Sequence, residues 1–170
     1  LIAISNKVFG QTYLGLKFFS YVAYLGTVIT LSLAAFKLTN RKESFYIALL
    51  LSILSPAIFI LGGIASTDIF LFFFWSLTIL CYVCFIQERD EKWFYFIGIT
   101  TGLGILAKLT MVLLPLSILL YFLATDFRKY FFNIHIYLSA LITVLISSPI
   151  LMWNAPSSWL TLSPAMDHLV

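Results

Sequence analysis

Charged residues are scarce in this sequence. Asp, Glu, Lys and Arg together make up 10% of its 170 residues, whereas 62% are hydrophobic and the mean hydropathy is +1.04. About a quarter of a soluble domain is charged, so a water-soluble fold of this length would lack the polar residues needed to cover its surface. The basic residues are scattered as singles and pairs, which excludes the basic patch of a nucleic-acid-binding protein. The composition therefore predicts an integral membrane protein.

Cysteine is also rare, and no common motif for metal or phosphate chemistry is present. Cys81 and Cys84 lie in an apolar run without the further ligands that a zinc site needs, so we expect both to act as small apolar groups. A nucleophile elbow, a Gly-rich phosphate loop and a metal-binding helix pair are all missing. The sequence therefore predicts no definite cofactor, and a divalent metal is the one candidate that stays open.

Long apolar stretches predict an all-α membrane bundle with about six transmembrane helices, because a bilayer core of ~30 Å needs roughly 20 helical residues. A single transmembrane domain over 1–170 would contain spans at 13–36, 45–65, 69–86, 93–108, 110–125 and 134–153. The stretch 93–125 is too long for one crossing, since at ~1.5 Å per residue it would reach on the order of 50 Å. Lys108 is the charge in its middle, so we place a break there.

Basic residues predict the orientation of these spans. Those on one side are Lys37, Arg41, Lys42, Arg89, Lys92, Arg128 and Lys129, whereas the other side has Lys7, Lys17 and Lys108. The positive-inside rule assigns the first side to the cytoplasm. Both termini would then lie outside, and because the chain begins with Leu1 rather than Met, we expect a fragment with at least one helix missing upstream. The stretch 153–170 is predicted to be an outer loop, with Trp153 and Trp159 at interfacial depth.

The glycines and a short charged run also allow structural predictions. The glycines expected to let helices approach closely are Gly62, Gly63, Gly98, Gly102 and Gly104. The charged run Glu88 to Lys92 is expected to form a solvated turn, and His135 to lie at the interface where the last span begins.

Asp68 and Lys108 are the polar residues that could carry chemistry on the outer side. Asp68 follows Ser66 and Thr67, a pattern that suits the first turn of a helix. It could equally be a carboxylate at a membrane-edge cavity. Lys108 is open to interpretation as a snorkelling lysine at a helix end or as a cation for a phosphate. Because both are predicted on the same side, they could face one cavity or form an ion pair.

Four stretches, in order, resemble a known family. They are Phe9-Gly10 with Leu14 to Lys17; Pro56 through Gly62 to Asp68; Gly98 through Gly102 to Lys108; and Ser148-Pro149 with Trp153-Asn154, Trp159 and His168. In this order and spacing the chain resembles the dolichyl-phosphate-mannose protein mannosyltransferase-like family, which includes bacterial aminoarabinose transferases that modify lipid A. These are membrane glycosyltransferases of the GT-C fold. The chain departs from the family pattern at Lys17, where the family usually has Arg, and in the loop after Asn154.

The resemblance implies inverting transfer of a sugar from a polyprenyl-phosphate donor to a lipid, glycan or protein acceptor, on the periplasmic face of a bacterial inner membrane. The partners would be the lipid-linked sugar and membrane lipids, with no nucleic acid. By the same resemblance Asp68 is a catalytic carboxylate and Lys108 binds the donor phosphate, while residues that line or brace the cavity are Trp153, Asn154, Trp159 and His168. The family's main catalytic acid would lie upstream of Leu1, so we expect the chain alone to be inactive.

Two other functions remain open on the sequence. Asp68 and Lys108 could be a coupling or gating pair in a transporter or another non-enzymatic membrane protein, although no convincing internal repeat is present. The chain could also be a structural subunit whose outer polar residues only cap helices.

Overall fold

The computed structural model describes residues 13–63 and 66–154, and these residues contain helices and no strand. The α-helices are α1 (Tyr13–Thr39), α2 (Lys42–Leu54), α3 (Pro56–Gly63), α4 (Thr67–Glu88), α5 (Lys92–Ala107), α6 (Leu113–Ala124) and α7 (Ile134–Asn154). Short 3-10 helices cover Leu109–Val112 and Asp126–Phe132. The predicted all-α fold is confirmed.

Two of these helices are long and apolar enough by themselves to cross a membrane: the segment Lys17–Thr39 of α1, and α4. The number rises to four if each of two bent helix pairs is one span, namely α2 with α3 and Leu109–Ala124 with Asp126–Phe132. Helix α5 and the segment Ile134–Ile150 of α7 are apolar but shorter. A count of about six spans therefore depends on the bent pairs and on the two short helices.

The segment 45–65, predicted as one span, is bent by 58° between α2 and α3. The bend lies at Ser55, whose backbone is extended (φ −66°, ψ 114°). Pro56 follows it, and the proline ring disfavours the helical conformation in the preceding residue. Proline is nevertheless well suited to begin a helix, because its missing N–H would have no partner there. The proline therefore ends α2 and starts α3.

Neighbouring helices are joined by hydroxyl groups in their contact faces. Helix α1 packs against α4, α4 against α5, and α5 against α7. The bonds that cross these contacts are Thr30 to Ser76 (2.6 Å), Thr78 to Thr100 (2.8 Å) and Thr143 to the Gly98 carbonyl (3.0 Å). Lipid gives packed helices little hydrophobic driving force, so such bonds and close packing hold a membrane bundle together.

Glycine permits the closest of these contacts. A Cβ added at Gly98 would lie 2.6 Å from the Ser139 carbonyl oxygen, and one at Gly102 would lie 2.8 Å from Cβ of Ile146. Equally tight positions occur at Gly62 and Gly104. The predicted packing role is therefore confirmed at these positions. It is wrong at Gly63, where a Cβ would meet no atom of the described residues within 4 Å.

The bundle has two ends with different chemistry. We call the end that carries Lys37, Arg41, Lys42, Arg89, Lys92, Arg128 and Lys129 the basic end. There the ion pair Lys37–Glu88 (3.0 Å) joins α1 to α4, and a contact between Glu91 and His135 (2.7 Å) joins the start of α5 to α7. The opposite end contains the start of α4 and the end of α5, and we call it the Asp68 end. Because α7 packs along α5 in the same direction, with Ser139 beside Gly98 and Ile146 beside Gly102, α7 also ends there.

Candidate functional site

Asp68 lies in the first turn of α4. Its carboxylate is therefore close to the partial positive charge at the start of the helix. Ser66 occupies the N-cap position, but its side chain makes no capping hydrogen bond, and its buried Oγ has no partner among the residues that the structure describes. The capping interpretation is thus wrong for Ser66, whereas the position of Asp68 in the first turn agrees with it.

Lys108 marks the sharp turn that follows α5. Its backbone is extended (φ −161°, ψ 133°), its N–H donates to the Gly104 carbonyl at 3.0 Å, and its own carbonyl accepts the Met111 N–H at 3.0 Å. A Cβ at Gly104 would lie 2.7 Å from Cγ of Met111. Glycine at 104 therefore lets Met111 fold back onto α5, and this turn directs Lys108 to the Asp68 end. The predicted break at Lys108 is present.

The two side chains meet. Nζ of Lys108 lies 2.5 Å from Oδ1 of Asp68, and the side chains are 44% and 35% exposed, respectively. The cation sits at the C-terminus of α5 and the anion at the N-terminus of α4, so each charge also has a favourable helix end. Beneath the pair is a buried apolar cluster formed by Leu71, Ile105, Met111 and Leu114. The site is therefore a half-exposed ion pair next to a buried apolar cluster.

The chemistry available to this pair is proton transfer and anion binding. A carboxylate can accept a proton from a hydroxyl group, and a lysine ammonium can bind a phosphate as a point charge. Within the two ranges that the structure describes, no three His, Cys, Asp or Glu side chains are grouped as metal ligands. The described residues therefore do not fit a metal site.

The other predicted site residues are not brought together by the described part of the chain. The backbone of Trp153 and Asn154 forms the last residues of α7, which ends on the same side of the bundle as Lys108. Their side chains, and the whole of Trp159 and His168, lie outside the described residues. Their placement in the cavity stays a prediction.

Sequence reasoning missed a polar network at the basic end. Glu88 pairs with Lys37 and accepts the Trp93 indole N–H at 2.9 Å. His135 lies between Glu91, at 2.7 Å from Nε2, and the Tyr95 hydroxyl, at 2.6 Å from Nδ1. The run from Glu88 to Lys92 is largely exposed, as expected for a solvated turn, and it is also a junction between helices. Apart from Glu88 and Trp93, these partners are far apart in the chain, and no local pattern in the sequence indicates the pairings.

Cys81 and Cys84 are both buried and free. They lie on the buried side of α4, and among the described residues they belong to no group of three or more potential metal ligands. Their burial is consistent with the expected role as small apolar groups.

Comparison with known proteins identifies one protein family. Its family model, described as dolichyl-phosphate-mannose-protein mannosyltransferase, matches residues 1–153. The matched region contains Asp68, Lys108 and Trp153, whereas Asn154, Trp159 and His168 follow it. Neither the curated proteins nor the solved structures give a match. The match extends over most of the chain and agrees with the helical membrane architecture. The chain therefore belongs to the dolichyl-phosphate-mannose-protein mannosyltransferase family, whose members are membrane glycosyltransferases of the GT-C fold.

Proposed function

We propose that this chain acts in the transfer of a sugar from a polyprenyl-phosphate donor to a lipid, glycan or protein acceptor, and that Asp68 and Lys108 serve this reaction. Family membership supports the reaction class. We assign the roles to Asp68 and Lys108 because they form an ion pair that joins two helix ends and remains half-exposed. It combines the proton acceptor and the phosphate-binding cation that this transfer requires.

The distribution of charge supports a location for the reaction. The basic end carries seven of the ten Lys and Arg residues of the chain, so the positive-inside rule favours a cytoplasmic position for it. The Asp68 end then lies at the opposite face, the periplasmic face of a bacterial inner membrane in this proposal.

The ion pair suggests how donor binding and catalysis are linked. A donor phosphate would compete with Asp68 for the ammonium of Lys108, because the phosphate and the carboxylate are both anions that bind this cation. Once Lys108 binds the phosphate, Asp68 is free to accept the proton of the acceptor hydroxyl. The acceptor oxygen then forms the new bond to the sugar carbon, from the face opposite the phosphate. The bond from that carbon to the phosphate oxygen breaks, and its electron pair leaves on a phosphate that Lys108 stabilises. The product has the inverted configuration.

The end of α7 supplies further candidates for the Asp68–Lys108 site. Trp153 and Asn154 lie in the last turn of the helix that ends beside α5. In this proposal they line the cavity together with Trp159 and His168, the aromatic rings offering apolar surface and the polar groups offering hydrogen bonds to a sugar.

The test measures donor binding by the full chain in a neutral detergent, with a polyprenyl phosphate as the probe. Lys108→Ala should weaken binding by about tenfold or more, since it removes the charge-assisted contact. Asp68→Asn should instead strengthen binding, since it removes the competing carboxylate. Lys42→Ala, which removes an exposed cation from the basic end, is the matched control and should leave the affinity unchanged.

Each outcome is informative. Equal affinities in the native chain, Lys108→Ala and Asp68→Asn would refute a role for the pair in donor binding. Equal weakening by Lys108→Ala and Lys42→Ala would mean that only overall charge matters. Binding is measured rather than turnover, so the result does not depend on whether the chain is active by itself.

A further inference from the structure

A polar cavity lies at the basic end of the bundle, far from Asp68. Its volume is about 600 Å³. It opens between the loop that follows α4 and the 3-10 helix Asp126–Phe132, and we call it the Arg89 cavity. Its lining consists of Arg89, Tyr121, Thr125, Asp126, Phe127, Lys129 and Tyr130.

Arg89 forms part of one wall of this cavity, and two contacts position it. It ends α4 in a left-handed conformation (φ 55°), and its N–H donates to the Phe85 carbonyl at 2.9 Å. Its guanidinium carbon lies 4.3 Å from the centre of the Phe127 ring. Phe127 in turn is buried in an aromatic cluster with Phe85 and Phe122. The guanidinium is thus positioned by cation–π stacking, which leaves its N–H groups available for hydrogen bonds.

The charges around the cavity favour an anion. Arg89 and Lys129 form no ion pair with any residue in the described ranges. Asp126 is the carboxylate that opposes them in the lining. Two cations against one carboxylate leave the cavity with a net positive charge.

Tyr121 and Tyr130 add two phenol groups that form no hydrogen bond with the described part of the chain. The Thr125 hydroxyl, in contrast, is already used, because it donates to the Tyr121 carbonyl at 2.8 Å. The cavity therefore offers a guanidinium, an ammonium and two phenol O–H donors to one ligand. An arginine fork and a lysine point charge together suit a phosphate group.

The course of the chain supports a location of this cavity at the membrane surface. The 3-10 helix Asp126–Phe132 is bent by 112° from the preceding helical segment, so it crosses the end of α6 instead of prolonging it. At the end of this segment, Phe132 is 95% exposed, as suits an aromatic ring at the interface with lipid. We therefore infer that the cavity lies at the level of the phospholipid headgroups.

We propose that the Arg89 cavity binds the phosphate of an anionic membrane phospholipid. Arg89 and Lys129 contact the phosphate oxygens, Tyr121 and Tyr130 donate hydrogen bonds to the headgroup, and the acyl chains lie along the apolar surface of α6. This site is at the end of the bundle opposite the Asp68–Lys108 pair. It does not depend on the proposed glycosyl transfer.

The test measures lipid binding to the full chain by native mass spectrometry from neutral detergent micelles. The probes are short-chain phosphatidylglycerol, short-chain phosphatidylcholine and inorganic phosphate. Phosphatidylglycerol should bind best and phosphatidylcholine about tenfold or more weakly, because its choline group cancels the phosphate charge that the cavity recognises. Inorganic phosphate should also bind more weakly, because it makes no contact with the apolar surface.

Variants locate the binding. The double substitution Arg89→Gln/Lys129→Gln should lower the affinity for phosphatidylglycerol by about tenfold or more. The control Arg41→Gln/Lys42→Gln removes the same charge from the same end of the bundle, outside the cavity, and should change the affinity by less than about twofold. Asp126→Asn should raise the affinity, because it removes the opposing carboxylate.

Three results would overturn the proposal. The first is an equal loss in the two double variants, which would indicate a diffuse surface charge. The second is equal binding of phosphatidylcholine and phosphatidylglycerol. The third is binding of inorganic phosphate as tight as that of the lipid. If Arg89→Gln/Lys129→Gln fails to fold, as judged by circular dichroism, Lys129→Gln alone carries the test and should weaken phosphatidylglycerol binding by about threefold or more.

Discussion

The ammonium of Lys108 lies 2.5 Å from the carboxylate of Asp68, although 40 residues separate the two in the chain. Each of these residues stands at the end of a different helix, and each is partly open to solvent. Ion pairs with this exposure contribute only about 0–1 kcal/mol to stability. Stability alone is therefore a weak reason for the pair, and its charges remain available to a ligand.

A double-mutant cycle tests that estimate. Asp68→Asn, Lys108→Met and the combined variant should show a coupling free energy of about 1 kcal/mol or less, because solvent screens the pair. The measurement is the free energy of unfolding in mixed micelles with increasing sodium dodecyl sulfate. A coupling of about 3 kcal/mol or more would contradict this and indicate a buried structural pair.

Gly98→Ala should destabilise the bundle by about 1–3 kcal/mol. The new Cβ would lie 2.6 Å from the Ser139 carbonyl oxygen, and a backbone atom cannot rotate away as a side chain does, so α5 and α7 must separate. The same unfolding assay measures the effect. Gly63→Ala is the matched control, because in the part of the chain that the structure describes its Cβ would meet nothing within 4 Å. Equal effects of the two substitutions would show that helix propensity, rather than packing, governs both.

Thr78→Val should destabilise the bundle by about 0.6 kcal/mol, and by no more than about 2 kcal/mol. Thr78 is fully buried, and its hydroxyl lies 2.8 Å from the Thr100 hydroxyl of the neighbouring helix. Valine keeps the shape but removes this bond. Thr110→Val, at an exposed position, should have no measurable effect on the free energy of unfolding. No difference between the two variants would mean that the bond between α4 and α5 is not stabilising.

Pro56→Ala should reduce the 58° bend between α2 and α3, because alanine restores the missing N–H and relieves the restriction on Ser55. Spin labels at Lys42 and Ile60 report the bend by their distance, which would be about 27 Å along a continuous helix. The distance should increase in the variant. An unchanged distance would show that tertiary contacts, such as Tyr24 against Gly62, hold the bend without the proline.

Asp90, in the loop between α4 and α5, provides a test by pH. The Lys92 ammonium at 2.8 Å, together with the Lys92 backbone N–H, lowers the pKa of this carboxyl below its ordinary value. A lowered folded-state pKa stabilises the fold above the unfolded-state pKa, and this contribution is lost as the pH falls through the folded-state pKa. Carboxyl NMR titration should therefore show an upward shift of the pKa of Asp90 in Lys92→Met. Lys37→Met, which does not contact Asp90, should leave the pKa unchanged.

The sequence predicted those features of the fold that depend on neighbouring residues. Apolar composition indicated a membrane protein, and the charge at Lys108 in a long apolar stretch marked the break after α5. The family resemblance, carried by motifs such as Gly98 to Lys108, is confirmed by the family match. Pro56 also indicates the bend after α2, because proline disfavours a helical conformation at Ser55. The apolar run 45–65 instead favoured one uninterrupted span.

The pairing of distant residues could only be decided by the tertiary structure. Hydropathy fixes which segments enter lipid but not which faces of the helices meet, because lipid is as apolar as the side chains that helices bury against one another. Gly62 and Gly63 are adjacent residues of the same type, yet among the described residues a Cβ would meet a neighbouring helix at Gly62 and not at Gly63. In the same way, the meeting of Asp68 with Lys108, and of Arg89 with Phe127, follows from how the helices pack side by side. Composition and local order thus determined that this chain is a membrane helix bundle of a glycosyltransferase family, whereas lateral packing decided which charges share a site.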